Sequence, residues 1–233
     1  MAPRKEKSLA GIRALKELSP EARASIESRC KWRTFAPRME IVGYQDQSND
    51  VCFIVSGQVR VIIYSLSGKA VTFRTMNAGD MFGELAAMDG QGRSATVEAV
   101  TQCLIAQLTP QVFRELIYTE PAVTKAVLQH LVGLVRSLSM RIYEFSTLAV
   151  QNRIHAELLR LARDGKPMGE GVLITNAPTH AELASRISTH REAVARELSR
   201  LQKLRILARH GKGGLLLADV ERLARMVAHA AEE

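Results

Sequence analysis

No apolar run in this 233-residue chain approaches the ~20 residues that span a bilayer, and the N-terminal MAPRKEKSLAGIRALKELSP lacks the ~7 to 15 residue apolar stretch of a secretory leader. Both absences point to a cytoplasmic protein with no membrane partner. Cysteine is scarce: Cys30, Cys52 and Cys103 are too few and too scattered for a disulfide framework, a zinc site or an iron–sulfur cluster, so they read as reduced, buried thiols. His180 and His190 flank one helix and its turn with no third ligand nearby, which favours a phosphate contact or an exposed side chain over a metal. No serine, cysteine or carboxylate pair stands with a base in a catalytic arrangement, which argues against an enzyme. The single tryptophan, Trp32, reads as packing.

What is present is an ordinary globular composition, 46% hydrophobic and 24% charged, on a chain long enough for one or two domains. The net charge is +8, from 32 Lys and Arg against 24 Asp and Glu. Its distribution says more than its total. Between Thr179 and Lys212 eight bases (Arg186, Arg191, Arg196, Arg200, Lys203, Arg205, Arg209, Lys212) face three acids (Glu182, Glu192, Glu197), the footprint of a nucleic-acid-binding surface.

The hydrophobic period changes twice along the chain. Ser19-Pro20-Glu21 is a helix start, with Ser19 as cap, and predicts a short helix from Pro20 to about Cys30. From Thr34 to about Leu108 the period is that of strands. VCFIVSGQVRVIIYSLSGKAVTFRTMNAGD holds three β-branched runs separated by Ser-Gly, Ser-Gly and Ala-Gly-Asp turns, the spacing of a compact antiparallel sandwich or barrel. FGELAAMDGQGRSATVEA then interrupts the strands with a glycine-rich loop. After Pro121, Leu128, Leu131, Val135, Leu138, Ile142, Phe145 and Ala149 recur at alternating steps of 3 and 4, the rhythm of a coiled-coil seam. A long core helix within its own domain is one reading of that seam; a parallel homodimer is the one we prefer. The predicted domains are 1–120, 121–149 for the long helix, and 150–233.

Helices dominate from Val150. NRIHAELLRLARDG is one helix, closed by Gly165, and VLIT is a short strand. LARHGKGGLLL reads as a hairpin turned at Gly211 to Gly214, and Asp219 caps a last helix. Between them THAELASRISTHREAVARELSRLQ has the organisation of a helix-turn-helix. Thr179 caps the first helix, Leu183 and Ile187 face inward, Ser188 to His190 turn, and Val194, Leu198 and Leu201 anchor the second helix. Arg191, Glu192, Arg196 and Arg200 are left on its outer face, where a recognition helix meets the major groove. Arginine there grips guanine O6 and N7, and glutamate accepts from cytosine N4. The candidate DNA contacts are therefore Thr179, His190, Arg191, Glu192, Arg196, Arg200 and, on the hairpin, Lys212. The alternative is a solvated charged helix.

REAVARELSRL and GELAAMDGQGRSA resemble the two signature segments of the cyclic-AMP receptor protein family, the catabolite activators, and the resemblance covers nearly the whole chain. It implies an α+β protein: an antiparallel β-roll that binds cyclic nucleotide, a long dimerisation helix with Leu131, Val135, Leu138, Ile142 and Phe145 on its seam, and a winged helix-turn-helix. It also implies roles inside the loop. Arg93 holds the ligand phosphate with Ser94 assisting, Glu84 accepts from the ribose 2′-OH, Gly83 lets the backbone come close, and Leu85 completes the Gly83-Glu84-Leu85 segment. The bland alternative is a Glu84–Arg93 ion pair on the loop surface. Where the best-known member reads adenine with two adjacent hydroxyls, one from the partner subunit, this chain has Leu138 and Ser139; guanine is admitted if Ser94 reaches its amine. The implied ligand is cyclic AMP and/or cyclic GMP, with no metal. The implied partners are a second copy of the chain, double-stranded DNA with pseudo-palindromic, TGTGA-like half-sites, and RNA polymerase. The family usually has glycine at Ser188, so a positive φ there would strain the turn. A DNA-binding regulator with a silent roll, and an enzyme acting on cyclic nucleotides, are the two competing functions.

Overall fold

Ser19 and Pro20 begin a helix because the serine oxygen satisfies an orphan N–H and the proline ring already holds a helical φ. In the computed structural model, which describes residues 7–64, 70–175, 177–211 and 213–229, Ser19 Oγ accepts from Ala22 N–H at 3.1 Å and α1 runs Pro20–Arg29. The chain divides into two compact units, Met1–Val135 and Arg136–Glu233.

The first unit is built on eight described strands: β1 Lys31–Phe35, β2 Glu40–Val42, β3 Val51–Ser56, β4 Gln58–Tyr64, β5 Ala70–Asn77, β6 Met81–Phe82, β7 Thr96–Ala99 and β8 Cys103–Leu108. They form two antiparallel sheets, β1-β8-β3-β6 and β2-β7-β4-β5. The strands begin at Lys31, a little before the expected Thr34. Turns fall at Ser56-Gly57 and at Ala78-Gly79-Asp80 as the spacing predicts, while the Ser67-Gly68 turn lies outside the described residues. β3 explains why VCFIV does not alternate. Val51 and Phe53 pack toward α1 and the later helices, Cys52 and Ile54 pack between the sheets, and all four are fully buried. At ~1.5 to 3 kcal/mol for each large apolar side chain taken from water, this doubly covered strand anchors the unit.

A short helix, α2 Glu84–Asp89, occupies the glycine-rich loop. α3, Pro110–Thr119, has the same hydroxyl-then-proline start as α1, through Thr109 and Pro110, but is absent from the sequence reading. α4 spans Pro121–Thr147, and the division between the units falls inside it. Val123 and Val127 are buried in the first core and Leu131 leans on it, whereas Val135, Leu138, Ile142 and Phe145 are exposed. The core-helix reading thus describes the start of α4 and leaves its later seam uncovered. Ala149, counted on the seam, lies beyond the helix, at the position before the next one and without a side-chain cap bond.

The second unit contains α5 Val150–Ala162, β9 Lys166–Met168, β10 Gly171–Ile174, α6 His180–Arg186, α7 Arg191–Lys203, β11 Leu207–His210, β12 Gly214–Leu217 and α8 Val220–His229. Its sheet is β11-β12-β10-β9, antiparallel throughout. Gly165 follows the end of α5 as expected, three residues after Ala162 and without a left-handed φ. It is needed because a side chain there would run into Val172 Cγ1 and, at 3.0 Å, the Leu173 carbonyl of β10. Asp219 does cap α8, its Oδ1 accepting from Arg222 N–H at 2.9 Å. The core joins Ile154 and Leu158 of α5 to Leu183, Val194, Leu198, Leu201 and Leu223. No described helix is long and apolar enough to cross a membrane.

Candidate ligand and nucleic-acid sites

Gly83 sits at φ +87°, in the left-handed region, and is the residue before α2. A Cβ there would strike the Arg93 Nη1 and lie 2.8 Å from the Asp50 carbonyl, so only glycine allows the backbone and the guanidinium to meet. Arg93 follows the loop and is 3% exposed. Burying a charge is costly unless it is hydrogen-bonded, and Arg93 is. Its Nε donates to Ser48 Oγ at 3.1 Å, Nη2 to the Asp50 carbonyl at 2.8 Å and Nη1 to the Gly83 carbonyl at 3.4 Å. One N–H on each terminal nitrogen is left over, which suits two oxygens of a phosphate. The backbone is fixed as well: Arg93 N–H donates to the Asp46 carbonyl and Gln45 N–H to the Arg93 carbonyl, both at 2.9 Å. Asp46 in turn receives Ser48 N–H and Ser48 Oγ, each at 3.1 Å, and those bonds hold its carboxyl below the usual carboxylate range.

Glu84 is also 3% exposed, but its partner is His130 Nε2 of α4, at 3.3 Å from Oε1. The expected alternative, a Glu84–Arg93 surface pair, is therefore not what forms. Both groups are buried and each has its own lodging, because backbone carbonyls already claim the guanidinium. Leu85 and Ser94 are exposed beside them. Ser48, Asp50 and His130 are missing from the sequence reading; the Asp46-Gln47-Ser48 turn signature is the one local hint, and the rest arrive from segments distant in sequence. Leu138 and Ser139 lie on the exposed face of α4 in the second unit. The thiols are free, and burial pushes those of Cys30 and Cys52 up to about 12. Trp32 packs on the first core and donates Nε1–H to the Glu27 carbonyl at 3.3 Å.

In the second unit α6 opens with a capping box. Thr179 N–H donates to Glu182 Oε2 at 2.8 Å, and Glu182 N–H returns a bond to Thr179 Oγ1 at 3.3 Å. Thr189 N–H then reaches back to the Ala184 carbonyl at 3.0 Å, closing the helix in a Schellman-type turn whose left-handed residue is Ser188, φ +51°. His190 precedes α7 and is exposed, as are Arg191, Glu192 and Arg196 on its outer face. Val194, Leu198 and Leu201 are buried as the spacing predicts.

Arg200 is placed differently from its neighbours. Its Nε and Nη2 donate to the Glu197 carboxylate at 2.9 and 2.8 Å, and Glu197 is itself buried against His155 Nε2 of α5, at 2.6 Å. Burial holds the His155 imidazole below its ordinary pKa, while Arg200 and His155 keep Glu197 ionised. Beneath the motif, buried Glu157 gathers Arg160, Arg186 and, at 3.7 Å, Arg141. Lys203, exposed on the face of Arg196 and Ser199, joins the basic surface although it is not among the expected contacts. Lys212 lies outside the described residues; the hairpin that carries it forms between β11 and β12. Among the described residues no group of His, Cys, Asp and Glu could hold a metal ion.

Comparison with known proteins agrees with both geometries. Residues 32–120 match the cyclic nucleotide-binding domain, and residues 152–226 match the Crp-like helix-turn-helix domain. The chain belongs to the cyclic-AMP receptor protein family. It is 28% identical over 186 residues to the cAMP-activated global transcriptional regulator CRP of Salmonella typhimurium, covering 79% of this chain and 89% of that one. A CooA mutant from Carboxydothermus hydrogenoformans superposes with a TM-score of 0.76 at 22% identity, covering 86% and 88% of the two chains, which is a likeness of fold. A transcriptional regulator of the CRP/FNR family from Thermus thermophilus gives 0.66 at 27% identity, covering 87% and 99%. The protein is a cyclic-nucleotide-binding transcription regulator of this family, whose helix-turn-helix members bind DNA and act as dimers.

Proposed function

We propose that a 3′,5′-cyclic mononucleotide, cyclic AMP or cyclic GMP, binds the β-roll and raises the affinity of a homodimer for palindromic DNA in the cytoplasm. The observation that carries this reading is Arg93, buried, oriented by two carbonyls and a hydroxyl, and still holding one N–H on each terminal nitrogen. The phosphate takes those two donors, Ser94 adds a third, and the 2′-OH donates to Glu84 in place of His130. Leu138 and Ser139 enter as base contacts through the family resemblance. The exposed seam Val135, Leu138, Ile142 and Phe145, with Leu131 beside the core, is the surface proposed to pair two copies.

On DNA, Arg191, Glu192 and Arg196 read the bases of a TGTGA-like half-site, while Thr179, His190 and Lys212 serve the phosphates. Arg200 acts as a phosphate contact only to the extent that Glu197 releases it. Two recognition helices related by a two-fold axis need half-site centres one helical turn apart, ~34 Å. RNA polymerase is the partner through which such a regulator would act. Ligand must favour the DNA-competent arrangement, since equal affinity for both states shifts nothing. The test is DNA affinity at fixed salt with and without cyclic nucleotide. A change of fivefold or more is expected, and a smaller one refutes allosteric control.

A further inference from the structure

Inside the roll stands a second arginine to which this reading gives no work. Arg74 lies on β5 opposite Val61 of β4, and two pairs along the same ladder Val59 stands opposite Met76. Residues paired across a ladder share a face. Val59 and Met76 are buried in the core between the sheets, and Val61 packs against that core, so Arg74 leaves β5 on the inner face of the roll. The ladder slips by one residue between Val61 and Ile62, which makes Phe73 an extra residue beside Arg74. Bulges of this kind re-aim side chains next to binding sites. Arg74 is half-buried and has no hydrogen bond or ion pair among the described residues. Glu84 is the one charge whose field it registers: burial pulls the guanidinium's pKa down and Glu84 pushes it back.

We propose that Arg74 is the residue that reads the base of the bound nucleotide, and that it selects guanine. The assignment rests on the proposed nucleotide site and extends it. Arg93 takes the phosphate and Glu84 the ribose, while the base contacts proposed so far, Leu138 and Ser139, supply a single hydroxyl, so a pair of acceptors on the base edge still lacks a two-pronged donor. A guanidinium has donors and no acceptor. Guanine offers two acceptors side by side, O6 and N7, which an arginine fork meets with two bonds; adenine offers N7 beside an amino group, so one donor faces another donor. A bidentate pair of this sort discriminates by about 5- to 100-fold.

Calorimetric titration of the full-length protein with cyclic GMP, cyclic AMP, cyclic IMP and 7-deaza-cyclic GMP tests this without altering the chain. Cyclic GMP should bind about 5- to 100-fold tighter than cyclic AMP. Cyclic IMP, which keeps O6 and N7 but lacks the exocyclic amine, should bind like cyclic GMP, and 7-deaza-cyclic GMP should lose most of the preference. Arg74→Ala should lower cyclic GMP affinity by about 5- to 100-fold more than it lowers cyclic AMP affinity, bringing the two nucleotides to the same level. Equal binding of the two nucleotides, a preference for adenine, or a preference lost with the amine in cyclic IMP would overturn the role of Arg74 while leaving the nucleotide site intact. An equal loss of both nucleotides in Arg74→Ala would make it a phosphate contact instead. Binding of neither nucleotide to the unaltered protein would remove the site itself, and this assignment with it.

Discussion

The two charged sites of this protein are built on opposite terms. Arg93 and Glu84 are withdrawn from water and hydrogen-bonded before any ligand arrives, whereas Arg191, Glu192 and Arg196 stand in solvent with no hydrogen-bond partner among the described residues. A buried charge has to be satisfied by the protein at all times, which fixes its position in advance. An exposed one is satisfied by water and keeps its rotamer freedom until DNA orders it. The nucleotide site is therefore preorganised for a single small anion, and the DNA face is adaptable and sensitive to salt. Arg200 shows the boundary between the two regimes: it shares the outer helix with Arg196, yet its fork is already closed on Glu197.

The sharpest way to break the comparison is at Arg93. Arg93→Ala should cost a few kcal/mol of nucleotide affinity, since charge-assisted hydrogen bonds contribute ~1.5 to 3 kcal/mol each. Calorimetric titration reads the loss directly, and unchanged affinity would refute the phosphate role. Arg93→Lys should recover little of it, because an ammonium keeps the charge and loses the planar fork that Ser48, Asp50 and Gly83 hold in place.

On the exposed side the effects are smaller and differ in kind. Arg191→Ala and Arg196→Ala should each cost ~1 to 3 kcal/mol on a cognate site and relax specificity at one G·C pair. Lys212→Ala should weaken all sequences alike and lower the salt slope, as the loss of a phosphate contact does. Affinity measured on single-base variants of the site at two salt concentrations separates the two outcomes. A uniform loss in Arg191→Ala would place that residue on the backbone and not on a base.

The same contrast decides what could be read from the sequence. The anchors Val194, Leu198 and Leu201 are legible because helical spacing alone marks the inward face, whatever covers it, and the Thr179 cap because its partner Glu182 lies within the same turn. Glu84 and Arg93 became legible as a pair through family resemblance, and even then their true partners did not. Ser48 and Asp50 precede Arg93 by more than forty residues, and His130 follows Glu84 by 46. No local pattern encodes a contact of that range. α3 is a different case: Thr109-Pro110 carries the signal that identified α1, and strand-rich surroundings masked it.

The smallest predicted effect comes from two residues that share a backbone conformation and differ in side chain. Gly83 and Ser188 both have positive φ, +87° and +51°. At Gly83 the chain has no choice, because any Cβ would collide with the Arg93 guanidinium and the Asp50 carbonyl. Ser188 is exposed, and a non-glycine residue in the left-handed region carries an intrinsic cost of ~1 to 2 kcal/mol. Ser188→Gly should recover part of that cost, offset by the larger entropy of glycine in the unfolded chain, for a net gain of ~1 kcal/mol or less. In a unit of this size that is a rise in melting temperature of up to about 4 to 8 °C. Arg191 and Arg196 are untouched, so affinity for a cognate site should stay within about twofold if the gain reports stability alone. A fall in melting temperature would mean that the serine side chain supplies a stabilising contact, and that the left-handed turn is held by more than the Schellman bond from Thr189 N–H to the Ala184 carbonyl.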